Sequence, residues 1–422
     1  MTRRGRVRRG APTSMRMWTY VIRRLLLIIP IIIGVMTITF VLVSAIPITE
    51  RLTSYLGEPP RGESYSPYLA PGQGTCPSTS PVNCSNPYYH YALNKLGLNQ
   101  GVWVQWAIWM YNSLTFHWGI AGNASDVVLT TYPAARGQPV TTVLGWFLPY
   151  TLELAALSLA IIMAIGIPLG NLAAVYRNRP VDQASRVMSF SGFALPTFLL
   201  GSLVLAGFLI GLGSLNSWHS YFCTGQSVYT DLTGSWPPGH CYASPDPANF
   251  GYPSWLTAGY ISHPTGFPTV DALIHGQYWL AADTLLRMIL PALIIAYGTI
   301  AILLRFVRNS MLEVMNLDFV RTARSKGVPE RSVVRRHAGR NSLNVTITVL
   351  GLTFAAFVGG FPVIEYLFNL HGVGQLLAYS IINPIDIGLI FGTTLLFTFL
   401  VVGANLIVDL LYAYLDPRVR LG

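Results

Sequence analysis

Charge is what this 422-residue chain has least of: Asp, Glu, Lys and Arg make up only 10% of it, against about 25% in ordinary soluble domains. With 52% hydrophobic residues and a mean hydropathy of +0.47, that scarcity excludes a soluble globular class and indicates a chain embedded in lipid. Lysine is nearly missing, with Lys95 and Lys326 the only two. Neither follows a G-x-x-x-x-G run, so the chain has no P-loop with which to cradle a nucleotide. No G-x-S-x-G elbow appears, which excludes that hydrolase arrangement. The eight histidines are scattered without metal-ligand spacing, so neither a metal site nor a bound cofactor is expected. A chain without a catalytic constellation is not read as an enzyme, and if it moves a solute uphill the energy must come from a partner.

What is present is apolar length. Segments near 25–46, 147–174, 187–213, 286–307, 345–367 and 387–411 each approach the ~20 residues needed to cross a hydrocarbon core of about 30 Å. The expected fold class is an all-α polytopic membrane protein with six transmembrane helices. Around the spans lie a basic N-terminus (1–24), an outer loop (47–146), a second outer loop (214–285), a basic loop (308–344) and a tail (412–422). Helices 2 and 3 fall within 147–213, helix 4 within 286–307, and helices 5 and 6 within 345–411. Of the 27 Lys and Arg residues, 22 lie on one side of this arrangement. The positive-inside rule then puts both termini in the cytoplasm and the two long loops outside the cell membrane. The net charge of +10 is read as a topology signal and as contact with anionic lipid, with no nucleic-acid role. The arginine-rich start precedes an apolar stretch without a small-residue cleavage site, so a retained first span is expected rather than a signal peptide.

Val102 to Trp118 carries no formal charge and could be mistaken for a seventh span. Its Trp103, Trp106, Trp109 and Trp118, with Gln105, Asn112 and His117, suit the headgroup zone better, so an interfacial helix is expected there. All four cysteines fall in the outer loops, Cys76 and Cys84 in the first, Cys223 and Cys241 in the second. Three connectivities exist; pairing within each loop is favoured because shorter loops close more readily, with a cross-loop pattern and free thiols as the alternatives. An even count confined to the outer side fits an oxidising exterior. The sequons at Asn83 and Asn123 are common by chance.

The most informative stretch is DFVRTARSKGVPERSVVRRHAGRNSL, residues 318–343. Its pattern predicts helix, break, helix. Val314, Leu317, Phe319 and Ala323 give the first helix apolar surface, Gly327 suits a left-handed closing position, and Pro329 suits the first turn of the next helix. Val333, Val334, His337 and Ala338 share one face of that second helix, and Arg331, Arg335 and Arg336 lie elsewhere. The stretch resembles the coupling loop of ABC-transporter permeases of the dipeptide/oligopeptide family, D-Y-V-R-T-A-R-A-K-G-L…R-H-A-L-R-N-A-L. Arg321, Thr322, Ala323 and Gly327 occupy the positions of the wider E-A-A-x-x-x-G signature. Gly339 stands where the subfamily prefers a bulky apolar residue, and Asn344 and Val345 replace its Leu-Pro. The resemblance extends through Tyr20–Leu42, Pro149–Ala155, Ile167–Arg177, Phe193–Gly201, Val363–Leu377 and Asp409–Arg420, in family order.

The resemblance implies that Asp318, Arg321, Thr322, Ala323, Arg324, Ser325, Lys326 and Gly327 form an ATPase-coupling segment. It also implies two ATPase subunits carrying ATP and Mg, a second homologous permease subunit in a heterodimer, and an extracytoplasmic solute-binding protein. Peptides, oligosaccharides and related solutes are the substrate classes implied. Polar groups inside spans are costly, which singles out Glu153 and Glu365. They either border a translocation path with Pro196 or serve as interfacial carboxylates bound to each other or to backbone amides. Asp386, Asp409 and Asp416 are read as helix-end anchors, the last two beside Arg418. Pro30, Pro149, Pro168, Pro196, Pro291 and Pro362 permit kinks, and Gly166-x-x-x-Gly170 and Gly207-x-x-x-Gly211 permit close helix approach within the subunit. A secondary transporter or channel is the competing class, but it needs coupling acids at mid-membrane and internal repeats, and neither is visible.

Overall fold

A computed structural model describes residues 17–56, 59, 63–73, 75–79, 82–121, 137–211, 265–382 and 386–415. Helix dominates because residues in an apolar medium must satisfy their backbone groups within their own segment. Two long helices form the spine, α5 (Val140–Val175) and α9 (Tyr278–Met315). They run side by side in the same direction, burying Tyr150, Leu154 and Ile162 of α5 against Met288, Ile295 and Leu303 of α9. Glycine sets the closeness. A Cβ on Gly166 would stand 2.9 Å from Leu303 Cδ2, and one on Gly170 would stand 2.8 Å from Val307 Cβ. The Gly166/Gly170 pair therefore packs within the chain, as its spacing suggested, whereas Gly207 has nothing within 4 Å of a would-be Cβ.

A second pair, α1 (Met17–Ser44) and α15 (Ile387–Leu415), packs alongside and joins the start of α5 in a core of Met36, Phe40, Val43, Phe147, Leu389 and Leu395. Among the described residues, four helices are long and apolar enough to cross a membrane: Ile22–Ser44, Val140–Val175, Leu280–Met315 and Ile387–Leu410. They contain or closely match the spans expected at 25–46, 147–174, 286–307 and 387–411. Two of them, α5 and α9, run well past those bounds, because helical hydrogen bonding continues beyond the apolar stretch that hydropathy detects.

Two expected spans are not single straight helices. The segment expected at 187–213 is a pair, α6 (Pro180–Ala194) and α7 (Thr197–Gly211), bent by 102°. Leu195 is extended (φ −106°, ψ 118°), because the ring of Pro196 disfavours helical geometry in the residue before it. The segment expected at 345–367 is α12 (Gly339–Val358), followed by a break and then α13 (Pro362–Leu367). Gly360 carries φ +76° at that break. The first turns of α12 contain Arg340, Asn341, Ser342 and Asn344, which shortens its apolar length.

At the cysteine-bearing end lie α2 (Ile48–Leu56), a short antiparallel ladder of β1 (Tyr68–Leu69) with β2 (Cys84–Ser85), α3 (Pro87–Leu96) and α4 (Val102–Leu114). Cys76 and Cys84 are disulfide-bonded, with their Cα atoms 5.6 Å apart. Cys223, Cys241 and the Asn123 sequon lie outside the described residues. Asn86 is fully buried and organises this end. Its Oδ1 caps α3 by accepting the Tyr88 and Tyr89 amides at 3.0 and 3.3 Å, and its Nδ2 donates to the Ser64 and Ser66 carbonyls at 2.6 and 2.8 Å. The helix expected at Val102 is present, but its tryptophans do not all lie at an interface. Trp109 and Trp118 are buried. The indole N–H of Trp109 donates to the Met36 carbonyl at 3.2 Å, and that of Trp106 donates to Thr37 Oγ1 at 3.1 Å, so α4 lies along α1.

Candidate functional site

The basic stretch folds as a hairpin at the opposite end of the spine. Helix α10 (Asp318–Ser325) closes at Lys326 and Gly327. Gly327 has φ +74°, and the amides of Gly327 and Val328 bond back to the carbonyls of Arg324 and Ala323 at 2.9 and 3.3 Å. Glycine reaches this conformation at little cost, while a side chain opposes it by roughly 1–2 kcal/mol. Nothing stands within 4 Å of a Cβ at this site, so the constraint comes from the backbone alone. The chain then re-enters helix as α11 (Glu330–Ser332), passes through one π-helical turn at Val333–Ala338, and continues without a break into α12. Pro329 sits at the N-cap rather than inside the first turn.

Val320, Ala323 and Val333 are buried against one another with Val328, and this small cluster holds the two arms together. The apolar face of the first arm is therefore Val320 and Ala323, while Leu317 and Phe319 point outward. On the second arm, Ala338 packs with Ala174, Met311 and Val314, which seats the hairpin on the ends of α5 and α9. As expected, Arg331, Arg335 and Arg336 are exposed and Val333 and Ala338 are buried. Of the signature residues, Asp318, Arg321, Thr322, Arg324, Ser325, Lys326 and Gly327 face outward and only Ala323 is buried. Thr322 and Ser325 donate their hydroxyls to the Asp318 and Arg321 carbonyls at 2.9 and 3.1 Å. Arg324 grips Glu330 across the turn through two bonds of 3.1 and 2.7 Å. That bond holds the Glu330 carboxyl below the usual carboxylate range.

Charge not expected from the sequence braces the same end. Asp182 of α6 is fully buried and accepts from Arg308 Nε at 2.6 Å, Arg186 at 2.8 Å and the Asn178 amide at 2.9 Å. One carboxylate therefore joins α6 to α9. The signal was present, because Asp182 is the lone acid in an arginine-bearing stretch, Arg177 to Arg186. Asp409 pairs with Arg24 of α1 at 3.0 Å; Asp416 and Arg418 lie outside the described residues.

The two acids expected near a path are both engaged by backbone amides. Glu153 accepts the Thr269 amide at 3.0 Å and its hydroxyl at 3.1 Å, tying α8 (Pro268–Ile274) to α5. Glu365 is fully buried, with Oε2 accepting the Gly374 and Gln375 amides at 2.8 and 3.2 Å and the Thr151 hydroxyl at 3.3 Å. A carboxylate against those amides caps α14 (Val373–Ile382), where a helix N-terminus favours negative charge. Gly374 is needed there, because a Cβ would stand 2.7 Å from Pro362 Cα. Asp386 likewise accepts the Leu389 amide at 3.0 Å at the start of α15. Thus Glu153 and Glu365 are not partners of each other, and Pro196 is exposed at the α6–α7 bend.

Residues 166–421 match the family model described as the binding-protein-dependent transport system inner membrane component. The chain belongs to this family. The match takes in α6 to α15 and the whole basic hairpin. Similarity to individual permeases runs nearly end to end. The chain is 31% identical over 414 residues to the probable D,D-dipeptide transport system permease protein DdpB of Escherichia coli K12, covering 97% of this chain and 99% of that one. It is 29% identical over 404 residues to the oligopeptide transport system permease protein AppB of Bacillus subtilis 168, covering 96% and 100%. A similar match, 29% over 405 residues, is made to the dipeptide transport system permease protein DppB of Escherichia coli K12, covering 96% and 99%. This permease is accordingly a multi-pass cell-membrane protein and a transport component rather than an enzyme itself.

Proposed function

We propose that this permease is the membrane-spanning subunit of an ATP-driven ABC importer for peptides, with oligosaccharides or related solutes as the neighbouring substrate class. In this reading the chain crosses the membrane six times with both termini in the cytoplasm, counting the bent pair and α12 among the spans. The hairpin 318–338 docks into one of two ATPase subunits, which carry ATP and Mg; this chain binds no cofactor. A second, homologous permease completes the path, and an extracytoplasmic binding protein delivers the solute to the cysteine-bearing face. Glu153, Pro196 and Glu365 border the path by holding its walls, because both carboxylates are engaged by backbone amides. That engagement also counts against a secondary transporter or channel, which needs acids free to exchange protons or ions.

One observation carries the reading. An outward-facing cationic hairpin, closed by a left-handed Gly327, occupies the signature position in a chain that aligns end to end with peptide permeases. The experiment is transport and substrate-stimulated ATP hydrolysis by the reconstituted complex carrying Gly327→Val or Gly327→Asn. A β-branched residue opposes the left-handed turn most, so coupling should fall by roughly tenfold in the valine variant. Asparagine tolerates that conformation and should remain close to wild type. Wild-type coupling in Gly327→Val would remove the hairpin as the transmitting element. If no ATPase subunit co-purifies with the tagged chain, the secondary-transporter class regains its standing.

A further inference from the structure

The membrane-spanning bundle carries a groove that the transport reading does not use. Helix α15 packs against both α1 and α12. Along it lies an open groove of about 790 Å³, with walls from those two helices. It runs from Val35 and Thr394 down to the Arg24–Asp409 ion pair at the basic end. From Thr394 to Asp409 the helix rises about 22 Å, so the groove averages roughly 35 Å² in cross-section. Another transmembrane helix, about 10–12 Å across with its side chains, needs at least twice that area. An unbranched acyl chain is far slimmer.

The lining changes with depth in the order of a phospholipid. At the mouth, the Arg24 side chain remains 41% exposed although it pairs with Asp409 at 3.0 Å, and Arg23 beside it is exposed. Two arginines outweigh one carboxylate there, so the mouth favours an anion. About 6 Å further in, Asn405 is exposed on the groove wall. A polar amide inside a span is costly unless something meets it, and this one lies at the depth of the ester carbonyls beneath a headgroup phosphate. Beyond it the wall is apolar, with Leu27, Ile28 and Ile31 of α1, Val401 and Val402 of α15, and Leu352 of α12. Thr394 and Thr398 do not interrupt it. Their hydroxyls donate to the Ile390 and Thr394 carbonyls of their own helix, both at 2.8 Å, and need no partner in the groove. Leu27, Ile31 and Leu352 are at least half exposed, so the groove opens sideways to the bilayer.

We propose that this groove binds one anionic phospholipid from the leaflet at the basic end. Its phosphate sits at Arg23 and Arg24, its ester carbonyls at Asn405, and an acyl chain along α15 between α1 and α12. The lipid fills the space that the three helices leave open, whatever solute the permease carries.

The test uses the assembled, full-length transporter, reconstituted in vesicles of equal parts phosphatidylcholine and phosphatidylglycerol and extracted for native mass spectrometry. One phosphatidylglycerol should stay bound, preferred over phosphatidylcholine by about fivefold, the effect of one net basic charge near an anionic lipid. Arg23→Gln with Arg24→Gln should abolish that preference while either lipid still fills the groove. Val402→Trp, which occupies the groove itself, should release both. A photo-crosslinking residue in place of the exposed Leu352 should label lipid, a readout that does not depend on the other variants folding. Equal retention of the two lipids by the wild-type complex overturns the proposal, and so does undiminished retention in Val402→Trp. A crosslink from position 352 to the second permease instead of to lipid makes the groove a subunit interface and overturns it too.

Discussion

The two ends of this permease treat polar groups in opposite ways. At the basic end the signature arginines and Lys326 face outward, and the hairpin is held by four small apolar residues and one exposed ion pair. At the cysteine-bearing end, Asn86 is buried, two indoles hydrogen-bond to α1, and a disulfide closes the loop. Exposed ion pairs contribute little and exchange readily with other partners. Buried and fully bonded polar groups fix a single arrangement, because leaving any one unmet is costly. The hairpin is thus suited to engaging and releasing a partner, and the cysteine-bearing end is suited to presenting one unchanging surface.

The sharpest test of that contrast is Asp182, which belongs to the basic end but is built like the other. Asp182→Ala strands Arg308 and should lower stability by roughly 3–5 kcal/mol, read as a large drop in the unfolding midpoint of the full chain. A loss no greater than that of an exposed pair would erase the distinction between buried and exposed charge at this end. Next in size is the disulfide. Cys84→Ser should destabilise the outer segment by about 2–3 kcal/mol through chain entropy, seen as faster hydrogen exchange over 64–96 with the helices of the bundle unaffected. Asn86→Ala removes a cap and two carbonyl contacts, and should cost about 2 kcal/mol in the same segment. If the exchange rates of that segment stay unchanged in both variants, the outer end is not held by these polar anchors.

The smallest effect belongs to Arg324 and Glu330. The folded pKa of Glu330 lies below its ordinary value, so this stabilisation is complete above the ordinary carboxylate range. It is lost as pH falls through the depressed folded value. Because both side chains are largely exposed, the total should stay below about 1 kcal/mol and shrink further in salt. Limited proteolysis within 318–330 across pH 3 to 7 reads it. A loss that grows as pH rises instead would assign the turn's pH dependence to another group.

Much of this arrangement was legible in the sequence because it rests on composition and short-range pattern. Gly327, the buried faces of Val333 and Ala338, the helix at Val102 and the closeness at Gly166 all follow from periodicity or backbone freedom. Pairing across the fold was not legible. Nothing local says that Asp182 meets Arg308, that Asp409 meets Arg24, or that Glu153 holds a helix more than a hundred residues away, because each bond depends on how distant helices are set side by side. Hydropathy also misjudged span shape. The bend at Leu195–Pro196 and the break at Gly359–Phe361 are backbone events inside otherwise apolar stretches, which a window average cannot register.

The π-helical turn at Val333–Ala338 has one consequence for how residues 330–358 are read. Each residue of an α-helix advances the direction of its side chain by about 100°, and a π turn takes in one residue more than an α turn before the chain comes round. A helical wheel drawn straight through this segment is therefore about one residue out of phase beyond Ala338, and it assigns the faces of α12 wrongly. A Cβ on Gly339 would lie 3.0 Å from the Val334 carbonyl oxygen, so the smallest residue stands where the wider turn closes. Deleting one residue from 333–338 would restore regular winding and leave Gly327 and the arginines facing as they do, whereas tightening the turn to α-helix at its full length would rotate everything before it by roughly a quarter-turn about the axis of α12.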